Sequence, residues 1–463
     1  MSTNDIIELS FKDGSLILEG SSCHQIVEDF PQLVFDRRTS QFRVSAHCYR
    51  DLVLWLRENK IEYKDLARKY GEVSCSIKEP ITPRLHQEKA LAAWIKAGKR
   101  GVVSLPTGAG KTILAILCLA QIQRSTLVLV PTLDLLSQWQ ETLSKYLKIE
   151  IGTIGGGEKN IKPITVSTYD SARLMMEYIG DQFGFLIFDE CHHLPAPFYQ
   201  QIAYAAMAPF RLGLSATVER LDGGEQVLDE LIGKLVFHEE IRDLVSEVLA
   251  PYDVVQICVD LTEKERVQYD TARSTYIEFI RQQRINFRQA DGWKQFIIRA
   301  SRSDEGKKAF RAYREQKNLA QAAGAKLDEI WNLLNTHSGE QTIIFTDDNN
   351  MAYRIGKNFI LPVLTHKTKT KERQFMLDNF RNGHFKVLVT SKVLNEGVDV
   401  PEARVAIIVS GSGAVREHVQ RLGRILRHSP GKRAVLYELV AKNTSEQYVN
   451  ERRRQHHAYQ GSP

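Results

Sequence analysis

The chain has 463 residues, of which 43% are hydrophobic and 25% charged. That is ordinary globular composition, which excludes a disordered tail protein, a collagen and a small disulfide scaffold, and the length suits about three domains. Lys and Arg exceed Asp and Glu by 62 to 56, and the excess is local: residues 262–318 hold 14 basic against 8 acidic side chains, so the rest is close to neutral. A local basic surface is the electrostatic footprint of a phosphate backbone, although a solvated helical face has the same composition.

The apolar runs, such as 126–130 and 185–188, are far too short to span a bilayer. The N-terminus carries no basic segment leading into an apolar stretch, so no secretory signal is expected. The six cysteines (23, 48, 75, 118, 191 and 258) include no C-x-x-C pair. Reduced thiols in an intracellular protein are the expectation.

The first 78 residues read as a small α+β domain. Ile7, Leu9 and Phe11 alternate up to Asp13-Gly14, and Leu16 and Leu18 alternate after it, which predicts a hairpin. A helix is expected over 49–59. Pro80 and Pro83 mark a linker.

Beyond it, short Val/Ile/Leu runs alternate with helical patterns, at 101–105, 126–130, 164–167, 185–188 and 212–214. Strands alternating with helices predict parallel β-α-β units. The alternation stops over a basic helical stretch, then resumes at 342–345, 387–389, 405–409 and 435–438. The expected fold is therefore α/β. Two parallel-sheet lobes (79–240 and 321–463) flank a basic helical insert (241–320).

The strongest local signal is PTGAGKT at 106–112, after an apolar strand and before a helix. Glycines let backbone N–H groups turn inward around phosphates, and the helix start adds a favourable dipole. Thr107, Gly108, Ala109 and Gly110 would form the cradle. Lys111 would reach the β- and γ-phosphates of ATP, and the Thr112 hydroxyl would ligate Mg²⁺. Leu105 stands where the usual first glycine falls.

The run 185–190 ends in Asp189-Glu190, adjacent carboxylates suited to hold Mg²⁺ and to polarise the attacking water. A zinc reading of Cys191-His192-His193 lacks the H-E-x-x-H spacing. In the second lobe, Arg421, Arg424 and Arg427 recur at three-residue spacing, so they share one side of a helix. Arginines suit charge building on a transferring γ-phosphoryl, and an exposed basic helix end fits the same pattern.

Taken in order, Arg84 and Gln87, PTGAGKT, Pro131-Thr132-Leu133, Ser167-Thr168-Tyr169, Asp189-Glu190-Cys191-His192, Ser215-Ala216-Thr217, Asn395-Glu396-Gly397-Val398-Asp399 and QRLGRILR (420–427) resemble the motifs of a superfamily 2 helicase or translocase. FDECHHLPAPFYQQI, APFRLGLSATVER and the N-terminal FDRRTSQFRVSAHCYRDLVLWL are similar to the XPB family. The resemblance implies two RecA-like lobes, a damage- or distortion-recognition domain at 1–78 and a DNA-gripping thumb in the insert.

By the same resemblance Arg84 and Gln87 would touch the nucleotide base, and Asp399 would join the nucleotide site. His192, Ser215 and Thr217 would couple hydrolysis to lobe movement. Gln420, Arg424 and Arg427 would complete the ATP site from the second lobe. Thr132, Thr168, Arg220, Asp222 and Gly397 would line the DNA track. The implied activity is ATP-dependent 3′–5′ translocation on forked or distorted duplex and single-stranded DNA, in nucleotide excision repair or transcription opening, with a nuclease as partner. The family's Arg-Glu-Asp signature reads Arg220-Leu221-Asp222 here, which favours a duplex-tracking remodeller that separates strands weakly. An RNA helicase and a catalytically idle DNA-binding scaffold are the other rivals.

Overall fold

In a computed structural model, the described residues are 6–20, 23–216, 224–240, 252–287, 289, 291–391, 403–410 and 434–448. The chain divides into two units, one of residues 1–106 and 110–239, the other of 107–109 and 240–463.

The N-terminal domain contains β1 (Ile7–Lys12), β2 (Ser15–Glu19), α1 (Cys23–Asp29), β3 (Val34–Asp36), β4 (Gln41–Ser45), α2 (Tyr49–Glu58) and β5 (Tyr63–Asp65). The strands pair in the order β3-β4-β2-β1-β5. The predicted hairpin joins β1 to β2, with Lys12 opposite Ser15 and both turn residues at positive φ, 51° at Asp13 and 72° at Gly14. That is what an Asp-Gly two-residue turn supplies. Leu9, Leu16, Leu18, Leu52 and Leu56 form its core.

This domain is stitched to the first lobe. Ser45 Oγ donates to the Tyr204 carbonyl at 2.9 Å, and Arg50 donates to the carbonyls of Gly98 and Pro209. Lys69 Nζ lies 2.7 Å from the buried Asp181 carboxylate. Met207 of the lobe packs into the core of the small domain. The two therefore fold as one unit.

The first lobe contains α3 (Leu85–Lys96), β6 (Arg100–Ser104), α4 (Lys111–Ile122), β7 (Thr126–Val130), α5 (Leu133–Tyr146), β8 (Ile151–Gly155), β9 (Glu158–Asn160), β10 (Ile164–Thr168), α6 (Tyr169–Ile179), β11 (Phe185–Asp189), α7 (Pro197–Tyr204), β12 (Phe210–Ser215), α8 (Glu225–Leu231) and β13 (Leu235–His238). Its sheet runs β13-β6-β12-β11-β7-β10-β8-β9, parallel throughout except for β9 on β8. The central strands β7, β10 and β11 are buried along their whole length, as a sheet covered on both faces requires. Arg211 on β12 is fully buried and donates to the carbonyls of Ala203, Ala206, Ala208 and Leu231. Burial pulls its pKa down to about 9.

The second unit contains β14 (Tyr252–Val259), α9 (Glu263–Gln282), α10 (Gly292–Ala300), α11 (Asp304–Gln321), α12 (Gly324–Thr336), β15 (Thr342–Phe345), α13 (Asn349–Phe359), β16 (Val363–Leu364), α14 (Thr370–Arg381), β17 (Val387–Thr390), β18 (Val405–Ile408) and β19 (Ala434–Ala441). Its sheet, β14-β19-β18-β15-β17-β16, is all parallel. The stretch 241–320 is thus not wholly an insert. β14 pairs along its full length with β19, so the helical part begins only at Glu263. Thr262 and Glu265 start it with a reciprocal capping box. Phe279, Ile285, Phe296, Ala300 and Ala309 give α9, α10 and α11 an apolar core of their own.

Candidate functional site

Motif after motif leaves the carboxyl ends of the first-lobe strands, where ligands bind in open parallel sheets. The loop after β6 turns on two left-handed glycines, Gly108 at φ 87° and Gly110 at φ 84°. Gly110 is the N-cap of α4, and its helix start carries no side-chain cap. The first-turn N–H groups are therefore not closed off by a side chain. A side chain at Gly110 would be strained twice over, because an added Cβ would lie 2.4 Å from Gln87 Nε2.

Lys111 Nζ donates to the Leu105 carbonyl at 3.3 Å and lies 3.9 Å from Glu190 Oε1. Thr112 follows on the first turn of α4, half-buried. The Thr107 hydroxyl is buried without a hydrogen-bond partner among the described residues. Ala109 is fully buried.

Arg84 caps α3, exposed, and its N–H donates to Gln87 Oε1 at 2.9 Å. Gln87 Nε2 donates to the Gly110 carbonyl at 3.2 Å. The Gln87 amide thus ties the start of α3 to the loop, its Oε1 held by Arg84 and its Nε2 bracing Gly110, a second use for a residue expected at the nucleotide base.

Asp189 ends β11, and its carboxylate is held on two sides. Trp139 Nε1 donates to Oδ2 at 2.7 Å, and the Glu190 N–H donates to Oδ1 at 3.1 Å. Burial first, and the Glu190 carboxylate second, push its pKa up to about 6, against the opposing pull of Lys111 and Trp139. The Tyr169 hydroxyl donates to the Asp189 carbonyl at 3.0 Å. Glu190 itself sits at φ 47°, a left-handed conformation uncommon outside glycine.

From Glu190 a chain of polar contacts crosses the lobe. Glu190 Oε2 lies 3.4 Å from His192 Nδ1, which lies 3.2 Å from Ser215 Oγ. The Ser215 carbonyl accepts from the Leu105 N–H at 2.9 Å, so the end of β12 is tied back to the start of the phosphate-type loop. Cys191 is fully buried in the lobe core, and burial pushes its thiol well above the usual range.

Thr132 and Thr168 lie on the same sheet edge, each as a helix N-cap. Thr132 accepts from the Leu135 N–H, and Thr168 from the Ser171 N–H. Both side chains therefore start helices as well as lying where a track is expected. Thr217, Arg220, Asp222, Gly397, Asp399, Gln420, Arg424 and Arg427 lie outside the described residues. Sequence reasoning missed Trp139, and gave Tyr169 a place in a motif but no role. An aromatic on an amphipathic helix reads as core, and only the strand end it faces shows otherwise.

Fold and site together define a RecA-like α/β nucleotide-binding lobe of the superfamily 2 helicase kind. The helicase domain of Hef from Pyrococcus furiosus shares this fold, with a TM-score of 0.51 over 80% of this chain and 97% of that one at 18% identity. Residues 80–220 match the model of the type III restriction enzyme res subunit. Residues 9–67 match the Xeroderma pigmentosum group B helicase damage recognition domain, and 307–462 the ERCC3/RAD25/XPB C-terminal helicase.

The chain belongs to the XPB family. It is 39% identical to the DNA 3′-5′ translocase XPB2 of Sulfurisphaera tokodaii, over 92% of this chain and 96% of that protein. It is 32% identical to the DNA 3′-5′ helicase XPB of Mycobacterium tuberculosis over 77% of this chain, and spans 61% of that longer protein. Among the described residues, no helix is long and apolar enough to cross a membrane.

Proposed function

We propose that this protein is an ATP-driven DNA translocase and helicase, moving 3′ to 5′ as its relatives' names state. The observation that carries the site is the contact chain from Lys111 through Glu190 and His192 to Ser215.

In the proposed mechanism the amides of 107–110 and Lys111 bind the phosphates of ATP. The orphaned Thr107 hydroxyl, the uncapped start of α4 and the two left-handed glycines fit such an anion. Lys111 exchanges its weak bond to the Leu105 carbonyl for a phosphate oxygen. Asp189 and Thr112 would hold Mg²⁺, whose bound charge supplies stabilisation of the developing negative charge. Trp139 keeps the Asp189 carboxylate aimed by occupying Oδ2. Glu190 orients the attacking water and takes up its proton. His192, in contact with both Glu190 and Ser215, passes the state of the nucleotide to the end of β12 and on to Thr217. By the family resemblance, Gln420, Arg424 and Arg427 would complete the site from the second lobe, and Asp399 would join it.

DNA would run past Thr132, Thr168, Arg220, Asp222 and Gly397, gripped by the basic helices after Glu263. The process served is nucleotide excision repair or transcription opening, in the cytoplasm of an archaeon or bacterium, and the partner is a nuclease. Leu221 favours a second reading, translocation on duplex without strong strand separation. Strand displacement on a forked substrate tests the two. ATPase strongly stimulated by DNA with displacement supports the helicase, and the same ATPase without displacement supports the duplex translocase.

A further inference from the structure

The basic helices after β14 carry an exposed apolar tip with no place in the reading above. Phe287, Trp293, Ile297 and Ile298 are 40–43% exposed, though each is large and apolar. Trp293 and Ile297 lie one helical turn apart on α10, on one face. The Trp293 ring packs against Phe296, with centroids 5.3 Å apart, Tyr313 at 5.0 Å and Phe287 at 6.2 Å, yet stays 42% exposed. Phe296 is fully buried. Arg299 donates to the Gln283 carbonyl and to Gln295 Oε1, tying α10 to the end of α9. The exposed ring therefore stands on a rigid base.

The charge around it is concentrated. Residues 281–302 hold six basic side chains and one acidic, a surplus of five within a whole-chain excess of six. Arg281, Arg284 and Lys294 are exposed and form no ion pair among the described residues. A face that is both aromatic and strongly cationic complements an anionic partner with flat apolar faces. A nucleic-acid strand offers both at every residue, a phosphate and a flat base.

We propose that the tip formed by the end of α9 and by α10 is a stacking platform for an unpaired base of single-stranded DNA, with Trp293 carrying the base and Arg281, Arg284 and Lys294 the flanking phosphates. It rests on the reading that these helices grip DNA, and adds strand selectivity to it. Phosphate contacts alone do not distinguish single strand from duplex, whereas a ring can take only a base that has left its own stack.

The test titrates the full chain into a short single-stranded DNA and a blunt duplex of the same length. Trp293→Ala should weaken single-strand binding about fivefold or more and duplex binding less than about twofold. Trp293→Phe keeps a ring and should restore the affinity. It should also abolish the part of the tryptophan-emission quench that single-stranded DNA produces in the unmodified protein. The unfolding midpoint of each variant separates loss of binding from loss of fold. Equal losses on both DNAs, or none on either, overturn the proposal.

A charge variant, Arg281→Gln with Arg284→Gln and Lys294→Gln, distinguishes the two layers. Weakened binding to both DNAs with Trp293→Ala unchanged would leave the grip standing and remove the platform. Unchanged binding in the charge variant as well would remove the grip itself.

Discussion

Two strand-to-helix turns, one in each parallel sheet, have the same architecture and opposite chemistry. After β6 the chain makes a glycine loop, and α4 begins on Gly110 without a side-chain cap. After β15 it runs through Thr346, Asp347 and Asp348 into α13, whose start is closed by Asp348, which accepts the Met351 N–H. Asp347 donates its own N–H to Ser410 Oγ. One helix start is left open for an anion, and the other is filled with a carboxylate that would repel one.

The lysines of the two units repeat the contrast. Lys111 has one weak bond and a carboxylate 3.9 Å away. Lys326 on α12 is fully buried and saturated, 2.8 Å and 3.0 Å from the two Glu446 oxygens and 2.7 Å from the Val409 carbonyl. A lysine poised for phosphate has to be left underpaired. A lysine that only holds structure has every donor used.

That difference can be broken from either side. Lys326→Met should cost the second unit about 3–5 kcal/mol, because it leaves the Glu446 carboxylate without its cation, while Lys111→Met should barely move stability. Chemical unfolding of both variants measures it. Gly110→Ala should cut ATP hydrolysis about a hundredfold through misplacement of the loop, because the residue is left-handed and its Cβ would strike Gln87. Steady-state kinetics read this as loss in kcat/KM with the fold intact by circular dichroism.

Trp139→Phe preserves the ring but removes the bond to Asp189, and should lower kcat/KM for ATP about tenfold, as lost support behind a ligand typically does. The smallest effect falls on the capped helix. Asp348→Ala should destabilise the second unit by about 1 kcal/mol and leave ATP kinetics alone. A large change in ATP affinity there would mean that the two turns are not opposites.

Much of this was readable in the sequence because it depends on local chemistry. The Asp13-Gly14 hairpin follows from turn conformation. The buried central strands follow from uninterrupted Val, Ile and Leu, and 126–130 and 342–345 agree to the residue. The strands at 151–155 and 158–160 escaped, because glycines interrupt the first and the second is polar. Gly152 is needed there because a side chain would lie 2.4 Å from the Asn160 carbonyl. β14 escaped for a different reason. Its partner β19 stands far along the chain, and no local pattern shows which sheet a lone edge strand will join.

Within the site, the loop and the carboxylates were legible as motifs. Their support was not. The bond from Gln87 to Gly110 and the bonds from Trp139 and Tyr169 are long-range contacts that spacing does not reveal.

The most direct test of the central claim is steady-state ATP hydrolysis with and without forked DNA, on the unmodified chain and on Lys111→Ala. The account predicts a rate raised several-fold by DNA, abolished in the variant, with DNA affinity retained. Hydrolysis persisting in Lys111→Ala, or a rate that DNA leaves flat, would contradict it.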